Sequence, residues 1–516
     1  MDWLLWFSAP DYELARIVLQ RGVAALFFVA FLSSLNQFPA LLGERGLLPV
    51  PDFLNAFHRL GRPTLFRWGY SDRRLRWMCG IGLAVSALLI LGLPQLGPPW
   101  LPLIAFLALW VLYMSIVNVG QTFYGFGWEM LLLEAGFTVA FLGSDQSPPP
   151  TAVLIVTAWL TFRLEFGAGM IKIRGGQEWR NLTALYYHHE TQPMPGPLSR
   201  QFHLLPKPLH RAEVVGNHFA QLVVPFFLFA PQPLASVAAG IIVVTQLWLV
   251  LSGNFAWLNW SAVVLAFSAV GDRAVHALLP FMPLRYSSAP WAEAASPAGS
   301  GGDGVWSGGL FAGGLGEATG YPGDVFSWAW SAVALVAALF LAVLGYWPAK
   351  NLVSRRQLMN AAFNRWMLGN TYGAFGSVTK RRVEIVVEGT LDEVPTDEAD
   401  WREYRFKGKP GEPERMPRQW APYHLRLDWL MWFLPLRTVH EEWFYAFIFK
   451  LLEGDPATLK LLRADPFDGE RPRWIRVRNA LYQFSTREQF RETNHRWVIT
   501  PLRTLIRPIQ LKDVAS

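Results

Sequence analysis

A polytopic bundle of membrane-crossing helices followed by a soluble α+β or β-sandwich-like domain is the architecture this chain calls for. Three observations lead to it. Hydrophobic residues make up 52% of the 516 residues and charged residues only 16%, against roughly 25% charged in a soluble domain. Apolar stretches of the length a bilayer demands, roughly 20 residues, recur between residues 14 and 347. Beyond Trp347 the composition turns to that of a soluble protein. An ordinary cytosolic enzyme, a disordered regulator and a coiled coil are excluded. The net charge of +7 goes, in a membrane protein, with basic loops beside anionic lipid, so membrane lipid and no nucleic acid is the expected partner. Cys79 is the single cysteine, so one chain builds no disulfide and no cysteine-based zinc or iron–sulfur site.

The elements follow in order. Asp2 stands where a signal peptide needs positive charge, and Trp3, Leu4, Trp6 and Phe7 read as a short interfacial segment. Membrane spans are expected at 14–35, 77–96, 101–117, 151–171, 219–229, 234–251, 255–270 and 326–347. The stretch 128–142 is a short ninth, tilted or re-entrant. The membrane domain therefore occupies 1–286, with the last span at 326–347. Basic loops at 43–76 and 172–213 are separated by four spans if 128–142 crosses, which puts both on one side. Four further spans bring the C-terminal region to that side, and the positive-inside rule makes it cytoplasmic. Residues 287–325, rich in Gly, Ser and Pro, read as a flexible linker. In the soluble part, 348–516, strands are expected at 378–387, 401–407 and 474–484. Helices are expected at 442–452 and 456–463, the second opened by Asp455 as N-cap and Pro456.

Charges inside spans are costly and mark either structural pairs or function. Glu129 and Glu134 follow Trp128 in the short stretch, and Arg163, Glu165 and Lys172 lie along 151–171 and its end. Glu165 and Lys172, nearly two turns apart, share a face. Arg163 faces elsewhere and is expected to pair with Glu129 or Glu134. Three readings stay open: ion pairs that lock the bundle, a polar cavity with a desolvated Lys172 as base, and a transport path.

A second polar region follows. It holds Arg174, Trp179 and Arg180, then Tyr187, His188, His189, Glu190 and Gln192. His188-His189-Glu190 lacks the i, i+4 spacing of helical ligands, so a hydrogen-bonded interfacial loop, not a metal site, is expected. His210, Glu213 and Asn217 fall on one helix face beside Arg211 and His218. They either face the cavity of Lys172 or anchor a helix start at the membrane surface. Asn254 and Asn259 flank a turn between spans, where polar side chains glue helices together. No phosphate-binding glycine loop and no Gly-x-Ser-x-Gly elbow is present.

These segments resemble the lipase maturation factor family. The resemblance is carried by RIVL at 16–19, GERGLLP at 43–49, YMSIVNVG at 113–120 and FGWE at 126–129. GAGMIKIRG at 167–175, HETQPMP at 189–195, NHF at 217–219 and SGN at 252–254 continue it. In the tail, NTYGAFGS at 370–377 brings Tyr372, Gly373, Phe375 and Gly376, and PYHLRLDW at 422–429 brings Tyr423, Arg426, Asp428 and Trp429. The segment 287–323 does not match. The resemblance implies a chaperone-like endoplasmic-reticulum membrane protein that helps secreted lipases or other exported client proteins mature, without a cofactor. It also puts the large loop and tail on the luminal side, or the cell exterior in a bacterium, opposite to the charge count. The segment 406–411 lacks a cysteine pair of animal relatives, a departure that speaks against a redox or disulfide-based role of this region. Ala168-Gly169-Met170-Ile171-Lys172-Ile173, followed by Trp179, is similar to the vitamin K-dependent carboxylase pattern. That likeness implies an alternative enzyme, with a membrane quinone as cofactor and Lys172 as base. Trp429, Trp432 and Trp443 are expected either to hold client surface or to form the tail's own core.

Overall fold

The computed structural model describes residues 7–56, 61–279 and 325–514. The interfacial reading at the first residues falls mostly outside them, as does the linker apart from Val325. Twelve helices and one sheet position the site. They are α1 (Glu13–Leu42), α2 (Asp72–Leu91), α3 (Trp100–Asn118), α4 (Gly127–Val139), α5 (Thr151–Arg174) and α6 (Leu185–Thr191), then α7 (Lys207–Leu222), α8 (Leu234–Ser252), α9 (Leu258–Ala266), α10 (Val325–Leu344), α11 (Arg426–Phe433) and α12 (Glu442–Leu452). Among the described residues, seven segments are long and apolar enough to cross a membrane: Pro10–Leu42, Asp72–Leu91, Trp100–Asn118, Thr151–Arg174, Lys207–Phe229, Leu234–Ser252 and Ala329–Val353. An eighth counts if the pair Leu258–Ala269 and Asp272–Leu278, bent by 106°, is one span. The chain is thus an integral multi-pass membrane protein.

The expected span at 219–229 begins twelve residues earlier, at Lys207. It ends as a 3-10 helix, Val224–Phe229, because Pro225 supplies no N–H to the helical ladder. The stretch 128–142 is too short to count with the seven, since 13 helical residues rise only about 20 Å. It nevertheless connects both ends of the bundle. At one end of α1, Gln20 Nε2 donates to Gly143 O at 2.8 Å and Arg16 Nη1 to Ser147 O at 2.6 Å. At the other, Gln37 and Glu129 both meet the segment around Arg426. The helix α4 therefore runs antiparallel to α1. The basic loops gather at the Arg426 end, as the expected four crossings require. Asp272, accepting from the Glu13 and Leu14 amides, returns the chain to the Arg16 end, where α9 stops.

Two helices form the centre. In α1, Phe27 and Phe31 are fully buried and both meet Tyr113 edge-on, at centroid distances of 5.9 and 5.4 Å. Their rings fit only because Gly136 and Gly82 face them. In α5, 72% of the apolar window is buried, more than in any other candidate span, so its charges must find partners inside the protein. Local signals set the ends of α2: Ser71 Oγ accepts from the Arg74 amide, and Gly92 closes the helix at φ 82°.

The C-terminal segment forms one antiparallel sheet, in the order β2-β1-β3-β4. Its strands are β1 (Arg382–Thr390), β2 (Arg402–Glu403), β3 (Trp474–Phe484) and β4 (Trp497–Ile509). One sheet among the described residues makes this an α+β arrangement and not a sandwich. The strand at 474–484 and the helix at 442–452 stand where the sequence puts them. The helix expected at 456–463 is only Pro456–Leu459, capped by Asp455 as expected. The strand expected at 401–407 is only Arg402–Glu403. Strand β4 and helix α11 are additions to the expected elements: Pro501 and Pro508 break the strand signature, and β4 tolerates them as a bulged edge. Ile385, Val387, Ile475 and Val477 pack with Phe444, Phe447, Ile448 and Leu451 of α12.

A Cβ on Gly82 or Gly136 would collide with the Phe31 or Phe27 ring, whereas one on Gly80 meets nothing within 4 Å. Gly82→Ala and Gly136→Ala are each expected to destabilise the protein by about 1–3 kcal/mol, read as a lower melting temperature in detergent. Gly80→Ala should leave it unchanged.

Candidate functional site

Glu129 and Glu134 lie five residues apart on α4 and so face different sides of the helix, both buried. Each is neutralised by a different set of residues. Glu129 Oε1 accepts from Arg426 Nη1 at 2.6 Å, and Oε2 takes the Tyr113 hydroxyl. The same Arg426 nitrogen donates to Phe123 O at 2.9 Å, and the guanidinium lies 3.4 Å from the Tyr124 ring centroid. The Arg426 amide donates to Gln37 Oε1 at 2.9 Å, while Gln37 Nε2 donates to His424 O at 2.7 Å. The Tyr423 hydroxyl is 3.4 Å from both Asn36 Nδ2 and Gln37 Nε2. Trp128 stacks on Phe126 at 4.6 Å and donates from Nε1 to His424 Nδ1 at 3.4 Å. Burial, and then the Arg426 charge, push His424 down to about 4, so the ring is neutral.

Glu134 pairs with Arg163, one of the two partners the sequence allowed. Arg163 Nη1 also donates to Asn370 O at 2.7 Å. The second Glu134 oxygen accepts from the Asn370 amide at 3.0 Å, Asn370 Nδ2 at 2.9 Å and the Tyr372 hydroxyl at 2.7 Å. Buried carboxylates without such partners are among the most costly groups a protein can hold.

The remaining tail residues make contacts of the same kind. Trp179 Nε1 donates to Phe375 O at 2.7 Å, and the Gly176 amide to Gly376 O at 2.7 Å. The Gly373 amide reaches Asn360 Oδ1 at 3.3 Å. Asn254 Oδ1 accepts from the Trp420 and Ala421 amides at 2.6 and 2.9 Å, and Nδ2 donates to Arg418 O at 2.9 Å. Arg382 on β1 donates to Glu190 O at 2.9 Å, Pro193 O at 3.0 Å and the Gln192 carbonyl. Gln192 Nε2 in turn holds Ser252 O at 2.8 Å. Asp428 Oδ1 caps the Gly408 and Lys409 amides at 2.6 and 3.1 Å, with its carboxyl raised by burial. Trp429 and Trp443 are buried and Trp432 is half-buried, its Nε1 donating to Thr191 O at 2.9 Å. Of the two expected roles, the structure gives Trp429 and Trp443 that of the tail's own core.

Lys172 is the centre of a separate relay. Nζ donates to Asn217 Oδ1 at 2.8 Å and Gln221 Oε1 at 2.9 Å, and lies 4.6 Å from the Trp179 ring centroid. Gln221 Nε2 reaches Glu165 Oε2 at 3.3 Å, and Gln246 Nε2 holds Oε1 at 2.6 Å. Asn259 Nδ2 closes the chain on Gln246 Oε1 at 2.7 Å. Glu165 and Lys172 thus communicate through an amide. Of the face His210, Glu213, Asn217, only Asn217 reaches Lys172. His218 contacts Trp179 O at 3.1 Å. Sequence reasoning missed Gln221 and Gln246; the signal for Gln246 was an isolated amide inside an apolar span.

The loop histidines gather elsewhere. His189, His210 and Glu213 bring one ligand atom each within 4.8 Å of one another. Glu190 Oε2 accepts from the Phe484 amide at 2.7 Å, its carboxyl raised by burial. Arg174 donates to Gln357 Oε1 at 2.9 Å and Arg211 to the Tyr186 hydroxyl at 2.9 Å. Tyr187 lies 6.0 Å below Lys380 Nζ, and Arg180 is exposed.

A bundle whose internal charges are satisfied by its own tail defines a multi-pass membrane protein with a docked C-terminal domain, and the comparisons with known proteins agree. A family model for the lipase maturation factor transmembrane domain matches residues 14–277, and one for the lipase maturation factor C-terminal domain matches 368–506. Lipase maturation factor 1 of Bos taurus is 38% identical over 509 residues, covering 92% of this chain and 85% of the relative. Lipase maturation factor 1 of Mus musculus is 37% identical, covering 98% and 88%. Lipase maturation factor 2 of Homo sapiens is 27% identical, covering 94% and 82%. The chain belongs to the lipase maturation factor family. No solved structure matches.

Replacing Arg426 by Met strands the Glu129 carboxylate in the interior. The expected cost is about 3–5 kcal/mol, seen as lost melting temperature and yield, with partial recovery in the double variant Glu129→Met/Arg426→Met. His424 gives a pH signature. It takes up a proton near pH 6.5 when unfolded but only near 4 when folded. Stability is therefore complete above pH 6.5 and declines toward 4 by about 1.4 kcal/mol per pH unit from this group. A pH series of melting curves should be shallower over that window in His424→Gln.

Proposed function

We propose that this chain is a membrane maturation factor that assists the folding and assembly of lipases or other exported proteins, acting as a scaffold and not by covalent catalysis. The observation that carries the reading is the use of the bundle's buried charges. Glu129, Glu134 and Arg163 are paired among themselves and with the C-terminal segment, which they hold against one end of the bundle. A tail held in this way offers a client a fixed surface. Near-full-length likeness to lipase maturation factors names the client class. Client contact falls on the exposed side of the tail, where Leu436 and Leu502 are each 46% exposed and β4 presents a sheet edge. The membrane is the endoplasmic reticulum in a eukaryote and the plasma membrane in a bacterium.

A second reading is favoured by one feature. Lys172 is buried with its ammonium held by two amide oxygens and no carboxylate within salt-bridge distance among the described residues. Such a group suits a base, and a membrane quinone would be its partner.

The experiment is complementation of a deletion strain, assaying secreted lipase activity per unit of lipase protein. Specific activity is expected to fall several-fold on deletion and to return with both the wild-type chain and Lys172→Ala. Failure of Lys172→Ala, with the variant present at wild-type level in the membrane, would transfer the case to the Lys172 enzyme. An unchanged specific activity on deletion would remove the lipase client. Truncation of 372–516 does not discriminate, because it also removes Arg426, which neutralises Glu129, and the Tyr372 hydroxyl that Glu134 accepts from.

A further inference from the structure

A cluster of buried polar groups short of hydrogen-bond partners lies between α6 and the start of α7. His189 is 1% exposed, and neither of its ring nitrogens has a hydrogen-bond partner. An imidazole so buried normally hydrogen-bonds through at least one nitrogen. Burial, and then the neighbouring rings of His188, His210 and His203, hold it well below its ordinary value. An imidazole ring offers a lone pair when neutral, and here no donor uses it.

Two further groups with ligand atoms lie beside it. His210 is buried, and its Nε2 lies 3.3 Å from His203 O. A carbonyl only accepts, so that contact places the proton on Nε2 and leaves Nδ1 as the lone-pair atom. Nδ1 is buried and has no hydrogen-bond partner. Glu213 has one oxygen, Oε1, held by Trp248 Nε1 at 2.7 Å. The other, Oε2, lies 4.0 Å from His189 Nε2. One ligand atom from each residue falls within 4.8 Å of the others. Both supporting contacts, a backbone carbonyl behind a histidine and an indole behind a carboxylate, are of the kind that orients ligands around a metal.

We propose that His189, His210 and Glu213 bind a divalent transition-metal ion of the zinc class. Two imidazole nitrogens and one carboxylate oxygen suit zinc and its neighbours, whereas calcium and magnesium prefer all-oxygen shells. Three protein ligands leave a fourth tetrahedral position for water. The ion joins α6 to α7 and thereby ties the basic loop to a membrane span. The site is separate from the Lys172 relay and does not depend on the maturation reading. Sequence spacing concealed it: the adjacent pair His188-His189 diverges, and the second histidine lies 21 residues on.

The test uses the full chain purified in detergent, stripped with a chelator and equilibrated with zinc or cobalt. The wild-type chain is expected to retain about one zinc and, loaded with cobalt(II), to show the visible absorption of a four-coordinate ion. His210→Gln and Glu213→Gln should each weaken zinc binding by more than about 10-fold, and Trp248→Phe by about 10-fold through loss of Glu213 orientation. His440→Gln, at an exposed histidine, should bind as wild type. Zinc should raise the melting temperature of stripped wild type and leave that of Glu213→Gln unmoved. Size-exclusion profiles of the stripped proteins show that each variant is folded, and Trp248→Phe, which removes no ligand, serves if the others are not. The proposal is overturned if stripped wild type takes up no zinc or cobalt, or if the folded variants bind either metal with unchanged affinity.

Discussion

Two carboxylates buried on one short helix set the terms for everything around them. Glu129 and Glu134 cannot reach water, and α4 offers them no cation of its own. Ionised in the interior, each requires a fixed set of donors. One set comes from α5 through Arg163, and the rest from Asn370, Tyr372 and Arg426, more than 200 residues downstream. The C-terminal segment is consequently part of the bundle's electrostatics. Its position is specified by charge pairs and amide contacts as much as by apolar packing.

The same logic distinguishes the three polar centres. Around Glu129 and Glu134 the partners are complete and charged, which is what a structural lock requires. Around Lys172 they are neutral amides, leaving the ammonium linked to Glu165 only through Gln221. Around His189, ring nitrogens without hydrogen-bond partners belong to residues that bring one ligand atom each within 4.8 Å of one another. A scaffold role rests on the first centre. Chemistry at Lys172 or a metal at His189 would add to it without disturbing that lock, because neither shares a residue with it.

Helical periodicity makes several of these relations legible in the amino-acid order. Nearly two helical turns separate Glu165 from Lys172, and both do face one relay. Arg163, displaced around the helix, is expected on Glu129 or Glu134, and it meets Glu134. The segments that carry the family resemblance are the ones that fasten tail to bundle. FGWE supplies Glu129, NTYGAFGS supplies Asn370 and Tyr372, SGN supplies Asn254, and PYHLRLDW supplies Arg426. Other relations have no local trace. Gln246 is an isolated amide in an apolar span, and Gln221 is one of several polar residues on α7. Trp429 and Trp443 read either as client surface or as core, because composition cannot tell a core face from a surface. Strand β4 is hidden by prolines that only an edge position admits.

Insertion in a membrane was determined by the sequence alone, because apolar length and the scarcity of charge are properties of a local window. The same holds for helix ends such as Ser71 and Gly92, where cap and helix are neighbours in the chain. Which charge meets which was decided only by the tertiary structure. The energy of a buried ion pair depends on distances of a few ångströms between residues such as Glu129 and Arg426, which nothing in their sequence separation constrains.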